Sequence, residues 1–245
     1  MRTRIFAANW KMNVSPDEAR AYARVFTAAV PPKDGRELWF FPPTVSLEAT
    51  ALSMRGRPDA RVGAQNIYWE PKGAFTGSTS IALARAAGAT TALVGHSERR
   101  HIFGESEGDT AKKVHAVLQG GLVPLLCVGE KLEEREANET ESVVLRQLGS
   151  ACSILTPEQL SQVVIAYEPV WAIGTGKNAT PEDAAKVHRV LRAELAQRGH
   201  RSPRILYGGS VSEKNITGLL AEEEVDGVLV GGASLDPEGW ARIVG

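Results

Sequence analysis

Eight short runs of apolar and β-branched residues recur along the chain, at residues 4–9, 38–41, 61–65, 91–95, 122–128, 163–167, 204–207 and 227–230. Each ends near Gly, Pro, Asn or His, and within each the hydrophobicity is nearly continuous. Continuous runs of this length suit strands buried on both faces of a parallel sheet, since a half-solvated strand would alternate. Helical patterns lie between the runs and carry clear start signals. Ser15-Pro16-Asp17-Glu18, Thr156-Pro157-Glu158 and Thr180-Pro181-Glu182-Asp183 each supply an N-cap, a proline at the first helical position and acids in the first turn. After the third, Ala184, Val187, Leu191 and Leu195 form one apolar stripe and Gly199 is the expected stop, while Asp236-Pro237-Glu238 opens a final short helix. Strand and helix in alternation predict an α/β protein, a closed (β/α)8 barrel. An open doubly wound sheet is the other topology this count allows.

Length favours the barrel as one domain spanning residues 1–245, because that fold needs about 250 residues. No linker, low-complexity tract or repeat divides the chain. Lys plus Arg (28) nearly balance Asp plus Glu (29), so no nucleic-acid or anionic-membrane partner is expected. An anionic ligand would have to be met by a local site. The two cysteines, Cys127 and Cys152, cannot build a disulfide framework, which fits a reducing compartment. Cys127, inside the fifth run, reads as a small buried residue. The apolar stretch before Lys11 is short for a signal peptide, and nothing approaches the roughly 20 apolar residues of a membrane span. The expectation is a soluble, cytoplasmic protein.

In either parallel topology the functional face lies at the carboxyl ends of the strands. Lys11 follows the first run, His96 the fourth, Glu168 the sixth, Ser210 the seventh and Gly231-Gly232 the eighth. Singly, each has an ordinary explanation as a surface charge, a loop residue or a structural hydrogen-bonder. Together they supply a carboxylate base, a neutral donor, a cation and glycine-rich anion cradles on one face. Residues 130–141, with six acids, read as the solvated entry of a helix. His101, His115, His188 and His200 read as surface or packing residues. Gly174-Thr175-Gly176-Lys177-Asn178 fits neither a P-loop nor a dinucleotide turn, since the spacing fails for the first and six residues separate the second from its strand. His96-Ser97-Glu98 lacks the cysteine pair of a zinc deaminase. No metal and no cofactor is expected.

Five collinear blocks carry a resemblance to the triosephosphate isomerase family. They are Asn9-Trp10-Lys11-Met12-Asn13, Gly95-His96-Ser97-Glu98-Arg99-Arg100, the stretch from Ala166 through Glu168-Pro169-Val170-Trp171 to Lys177, Tyr207-Gly208-Gly209-Ser210-Val211, and Val230-Gly231-Gly232-Ala233-Ser234-Leu235. They span essentially the whole chain. The resemblance implies a cofactor-free TIM-barrel isomerase interconverting glyceraldehyde 3-phosphate and dihydroxyacetone phosphate. It makes Glu168 the base, His96 the electrophile and Lys11 the group stabilising the enediolate, with Asn9 beside it. Phosphate would be held by Gly174, Ser210, Gly231 and Gly232, with Glu98 and Arg99 as support. It further implies a homodimer in which Thr76, on the loop 65–78, reaches the partner's site near Asn13 and Lys11. Two departures stand out: Ser78 replaces the family's usual Glu, and Asn178 stands where Thr is common.

Tyr68, Trp69 and Phe75 in that loop need burial, either against a partner or back on their own chain. The apolar segment after Pro169, bounded by Gly174 and Gly176, suits either a closing lid or a static connection on the rim. Other phosphate-binding barrels are the competing enzyme class. A Schiff-base aldolase is disfavoured because the fifth, sixth and seventh runs contain no lysine. The non-enzyme alternative is a sugar-phosphate binding barrel, against which the presence of Lys11, His96 and Glu168 argues.

Overall fold

The computed structural model describes residues 2–173 and 179–245. Its strands are β1 (Arg4–Asn9), β2 (Arg36–Phe41), β3 (Ala60–Ala64), β4 (Thr91–Val94), β5 (Val123–Val128), β6 (Val164–Tyr167), β7 (Ile205–Tyr207) and β8 (Gly227–Val230). They close in sequence order into an all-parallel barrel, which disposes of the open sheet. Closure sets Ile5, Phe6, Ala7 and Ala8 of β1 against Gly227 to Val230 of β8.

The near-continuous hydrophobicity of the runs now has a physical cause. Alternate residues point into the barrel, where Ile5, Ala7, Trp39, Phe41, Leu93, Leu125, Cys127 and Leu206 pack against one another. The residues between them, such as Phe6, Ala8, Leu38 and Phe40, meet a ring of helices through Phe26, Leu191 and Trp240. With water excluded from both faces, the middles of the strands are apolar and polar residues such as Arg4, Asn9, Arg36, Glu37 and Thr91 sit toward their ends.

The start signals are used as expected. Ser15, Thr156 and Thr180 each close a capping box, with Glu18, Gln159 and Asp183, and Asp236 accepts from Gly239 N. In helix Pro181–Gln197 the stripe Ala184, Val187, Leu191 and Leu195 is buried, and Gly199 follows at φ +95°. The helix begun at Thr156 stops at Leu160 after one turn. Among the described residues no helix is long and apolar enough to cross a membrane.

His188, on the inner face of that long helix, is fully buried edge-on to the Tyr167 ring and bonds through Nδ1 to the Glu224 carbonyl at 3.0 Å. Burial, acting against that bond and nearby Asp226, pushes its pKa down from 6.5 to about 4. The folded ring is therefore neutral at pH values where the unfolded ring takes up a proton. Stability from this residue is complete above about pH 6.5 and falls toward pH 4 with a slope of about 1.4 kcal/mol per unit. We expect unfolding free energies measured at pH 7 and pH 5 to differ less in His188→Gln than in the parent. Identical pH slopes for the two proteins would contradict this.

Candidate active site

The carboxyl ends of the strands surround a cavity of about 290 Å³, a size for a small ligand. Its wall includes Lys11, His96, Glu168, Ser210, Gly231 and Gly232, the six residues named from strand-end position, together with Asn9, which the resemblance added. Gly174 lies outside the described residues, as does Asn178.

Lys11 leaves β1 in the left-handed region, at φ +52°, which costs a residue with a Cβ some free energy and needs surrounding restraint. The restraint comes from both sides of the peptide. Asn9 Oδ1 accepts from Lys11 N at 3.1 Å, and Gln65 Nε2 donates to Lys11 O at 2.8 Å. The ammonium then pairs with Glu98 Oε1 at 2.6 Å. On its way the side chain runs over Gly231, where an added Cβ would sit 3.0 Å from Lys11 Cε. A larger residue at position 231 would push the lysine aside.

His96 caps the one-turn helix Ser97–His101 with its ring. Nδ1 accepts from Glu98 N at 3.2 Å, so that nitrogen carries no proton and Nε2 holds it. Nε2 lies 3.0 Å from Glu168 Oε1, to which it donates. Glu168, 2% exposed, also accepts from Ser97 N at 2.9 Å and from Ser97 Oγ at 3.4 Å. A buried carboxylate is thus held by three donors, all from the turn that follows β4.

After β8, Gly232–Ser234 forms a single 3-10 turn. The first N–H groups of any helical turn have no partner inside it, and Gly232 and Ala233 both line the cavity. Ser210, after β7, completes that side. Unpartnered amides at the start of a turn, with a hydroxyl beside them, suit an anionic group.

Arg99 and Thr76 stand apart from the cavity. Arg99 pairs with Glu105 at 3.4 Å and lies 4.4 Å over the Phe103 ring. Glu105 in turn pairs with Lys113, which donates to Asn66 Oδ1 at 2.7 Å. Thr76 is exposed on its loop. The aromatics of that loop pack within the chain: Tyr68 stacks on Trp69 at 4.1 Å and meets Phe75 at 4.5 Å, with Lys112 over Trp69.

Glu130 corrects the sequence reading. It is no solvated residue of a helix entry but fully buried beneath the segment after Glu168. Tyr167 Oη and Trp171 Nε1 donate to its Oε1 at 3.1 and 2.9 Å, and burial raises its carboxyl above the usual range. Arg135 stacks on Trp171 at 4.2 Å. Position alone would have singled Glu130 out, since it lies two residues beyond β5. The acids that follow it disguised it. Ser97 and Gln65 were missed too, because a backbone N–H and a side-chain amide bonding to backbone leave no mark in sequence.

Among the described residues no group of His, Cys, Asp or Glu is arranged to hold a metal ion. The arrangement instead offers a carboxylate beside an N–H donor and an ammonium, with free amides to one side. That set can move a proton at a carbon next to a carbonyl while holding an anionic group.

The sequence profile described as triosephosphate isomerase matches residues 4–245. A triosephosphate isomerase of Solibacter usitatus is 44% identical, with 100% of this chain and 99% of that protein aligned. Another, from Aquifex aeolicus, is 46% identical over 98% of each chain. A third, from Symbiobacterium thermophilum, is 46% identical over 99% of this chain and 96% of its own. The match runs across the barrel and every strand end that forms the cavity, and the chain belongs to the triosephosphate isomerase family.

Proposed function

We propose that the chain interconverts glyceraldehyde 3-phosphate and dihydroxyacetone phosphate, with Glu168 as base, His96 as electrophile and Lys11 stabilising the intermediate. The observation that carries this is the 3.0 Å approach of His96 Nε2 to Glu168 Oε1 in a cavity shared with Lys11. A proton next to a carbonyl is too weakly acidic for an unaided carboxylate, so charge developing on the oxygen must be met as it forms. The Nε2–H of His96 and the Lys11 ammonium meet it. Both donors are occupied by carboxylates here, His96 with Glu168 and Lys11 with Glu98. Substrate binding therefore exchanges partners: the carbonyl oxygen takes the His96 proton donor, and the freed Glu168 carboxylate turns to the carbon. Glu168 takes the proton from that carbon and returns it to the neighbouring one, the hydroxyl proton passes from one oxygen to the other, and the enediolate collapses to the other triose.

Asn9 holds the Lys11 backbone, and Glu98 and Arg99 support the donors from behind. The phosphate is taken by Ser210, Gly231 and Gly232, with Gly174 assigned from sequence. The experiment is turnover in deuterated water. The parent should place deuterium on the reacting carbons, and Glu168→Gln should not. Interconversion without any solvent label would exclude a base in contact with water.

The same reading includes a homodimer working in the cytoplasm. Its support is the exposure of apolar side chains on the segments after β1, β2 and β4, where Met12 is 95% exposed, Val45 76% and Ile102 72%. Covering these side chains with a partner chain would remove their apolar surface from water. The self-packed loop around Phe75 offers Thr76 to a partner as a preformed knob. Thr76→Arg, adding bulk and charge at that tip, should dissociate the chains and lower activity about tenfold or more. Sedimentation paired with the isomerase assay checks it, and a fully active monomer would break the link between assembly and activity.

A further inference from the structure

Tyr22 lies on the inner side of helix Pro16–Ala29 and is 4% exposed. Its ring packs on Trp10 with centroids 4.8 Å apart, and its hydroxyl donates to the Ser234 carbonyl at 2.9 Å. Trp10 immediately precedes Lys11, and Ser234 closes the turn that carries the Gly232 and Ala233 amides. One side chain therefore touches, from outside the cavity, the residue next to Lys11 on one wall and the residue next to Ala233 on the other.

The turn after β8 braces itself through Ser234 Oγ, which donates to Val230 O and Gly231 O at 3.0 and 2.7 Å. Those bonds fix its shape but not its direction. Among the described residues, the Tyr22 hydroxyl is the side-chain group from another element that bonds to it. Packing does not require that hydroxyl. Phenylalanine would fill the same space against Trp10, Phe26 and Phe40, and a buried hydroxyl lowers stability unless it is hydrogen-bonded. Burial also pushes the Tyr22 phenol far above its ordinary range, so it stays a proton donor across working pH.

We infer that Tyr22 is a positioning residue for phosphate recognition, its hydroxyl aiming the Gly232 and Ala233 amides at the ligand from behind. The inference rests on the reading of that turn as the phosphate grip. A residue acting this way affects the phosphate and not the reacting carbons. A residue acting through Lys11, or through the core alone, affects both.

The experiment compares Tyr22→Phe with the parent on two aldehydes, glyceraldehyde 3-phosphate and glyceraldehyde, which lacks the phosphate. For the phosphorylated substrate kcat/KM should fall about fivefold, the worth of one hydrogen bond, mostly through KM and with kcat within about twofold. For glyceraldehyde kcat/KM should not change. Tyr22→Leu, which also vacates the ring space, should lower stability and add a loss common to both substrates while leaving the fivefold phosphate-specific difference in place. Equal losses on the two substrates, or no loss on either, would overturn the role of Tyr22. A parent protein that does not prefer the phosphorylated aldehyde would instead overturn the phosphate grip, and this inference with it.

Discussion

Replacing Glu168 by Gln should lower kcat by a thousandfold or more while leaving the fold and most of the ligand affinity intact. The size follows from the role, since a positioned general base contributes roughly a hundred- to ten-thousandfold. The structural neutrality follows from the site. A glutamine oxygen at the Oε2 position still accepts from Ser97 N at 2.9 Å, its NH2 at the Oε1 position can donate to Ser97 Oγ, and only the 3.0 Å bond from His96 Nε2 is given up. Its amide takes the place of the other oxygen without a change in volume. A loss confined to kcat, with an inert phosphate-bearing inhibitor still bound, identifies a group acting in the transition state. Steady-state kinetics in both directions makes the measurement. Activity within tenfold of the parent would mean that another group takes the proton.

Gly129→Ala should be nearly as damaging although residue 129 touches no substrate. Gly129 follows β5, and its amide and carbonyl are both bonded by the Gln147 side chain at 2.8 and 3.1 Å. A Cβ there would lie 1.7 Å from the Glu168 carbonyl oxygen and 2.6 Å from its carbon. These are backbone atoms of Glu168, the proposed base, with no flexible end to swing away. One of the two strand ends must shift. We expect about 3 kcal/mol of lost stability, a melting temperature lower by about 10 °C, and a kcat reduced about a hundredfold by the displaced carboxylate. Gly108→Ala, whose Cβ would meet nothing closer than 3.7 Å, serves as the control. A Gly129→Ala protein with parental melting temperature and kcat would show that the strand ends yield without cost.

Most of the architecture is legible in the sequence because the barrel buries both faces of every strand. That condition leaves eight uninterrupted apolar runs, and it fixed β1 and β8 to the residue. It also explains why Lys11, His96, Glu168, Ser210 and Gly231 stood out: strand-end residues are the first polar positions after each run. Other features depend on register and turn length, which the chain does not spell out. The proline after Thr156 marks where a helix begins but not that it ends four residues later. Gln65 bonding to the Lys11 carbonyl requires the loops after β1 and β3 to be brought together, and Ser97 acts partly through its backbone. Glu130 was legible by position and obscured by its neighbours, because a run of acids is solvated far more often than one of its members is buried. The loop aromatics admitted two fates, and their stacking on one another could not be read from spacing.

The pairing of β1 with β8 has a consequence for how the protein is made. Lys11 and Gly231 come from opposite ends of the sequence, yet the lysine side chain lies against the glycine. Tyr22 and Ser234 bridge the same two ends. Contacts of such long sequence separation are slow to form, because the loop they close must lose its freedom before they stabilise anything. A chain still leaving the ribosome, with β8 unmade, has its lysine and histidine but lacks the Gly231 backbone that the lysine side chain lies against. Turnover is therefore a property that arrives with the final strand. Each active molecule is one whose barrel has closed, so in a refolding time course no catalytic signal precedes the joining of the two ends of the chain.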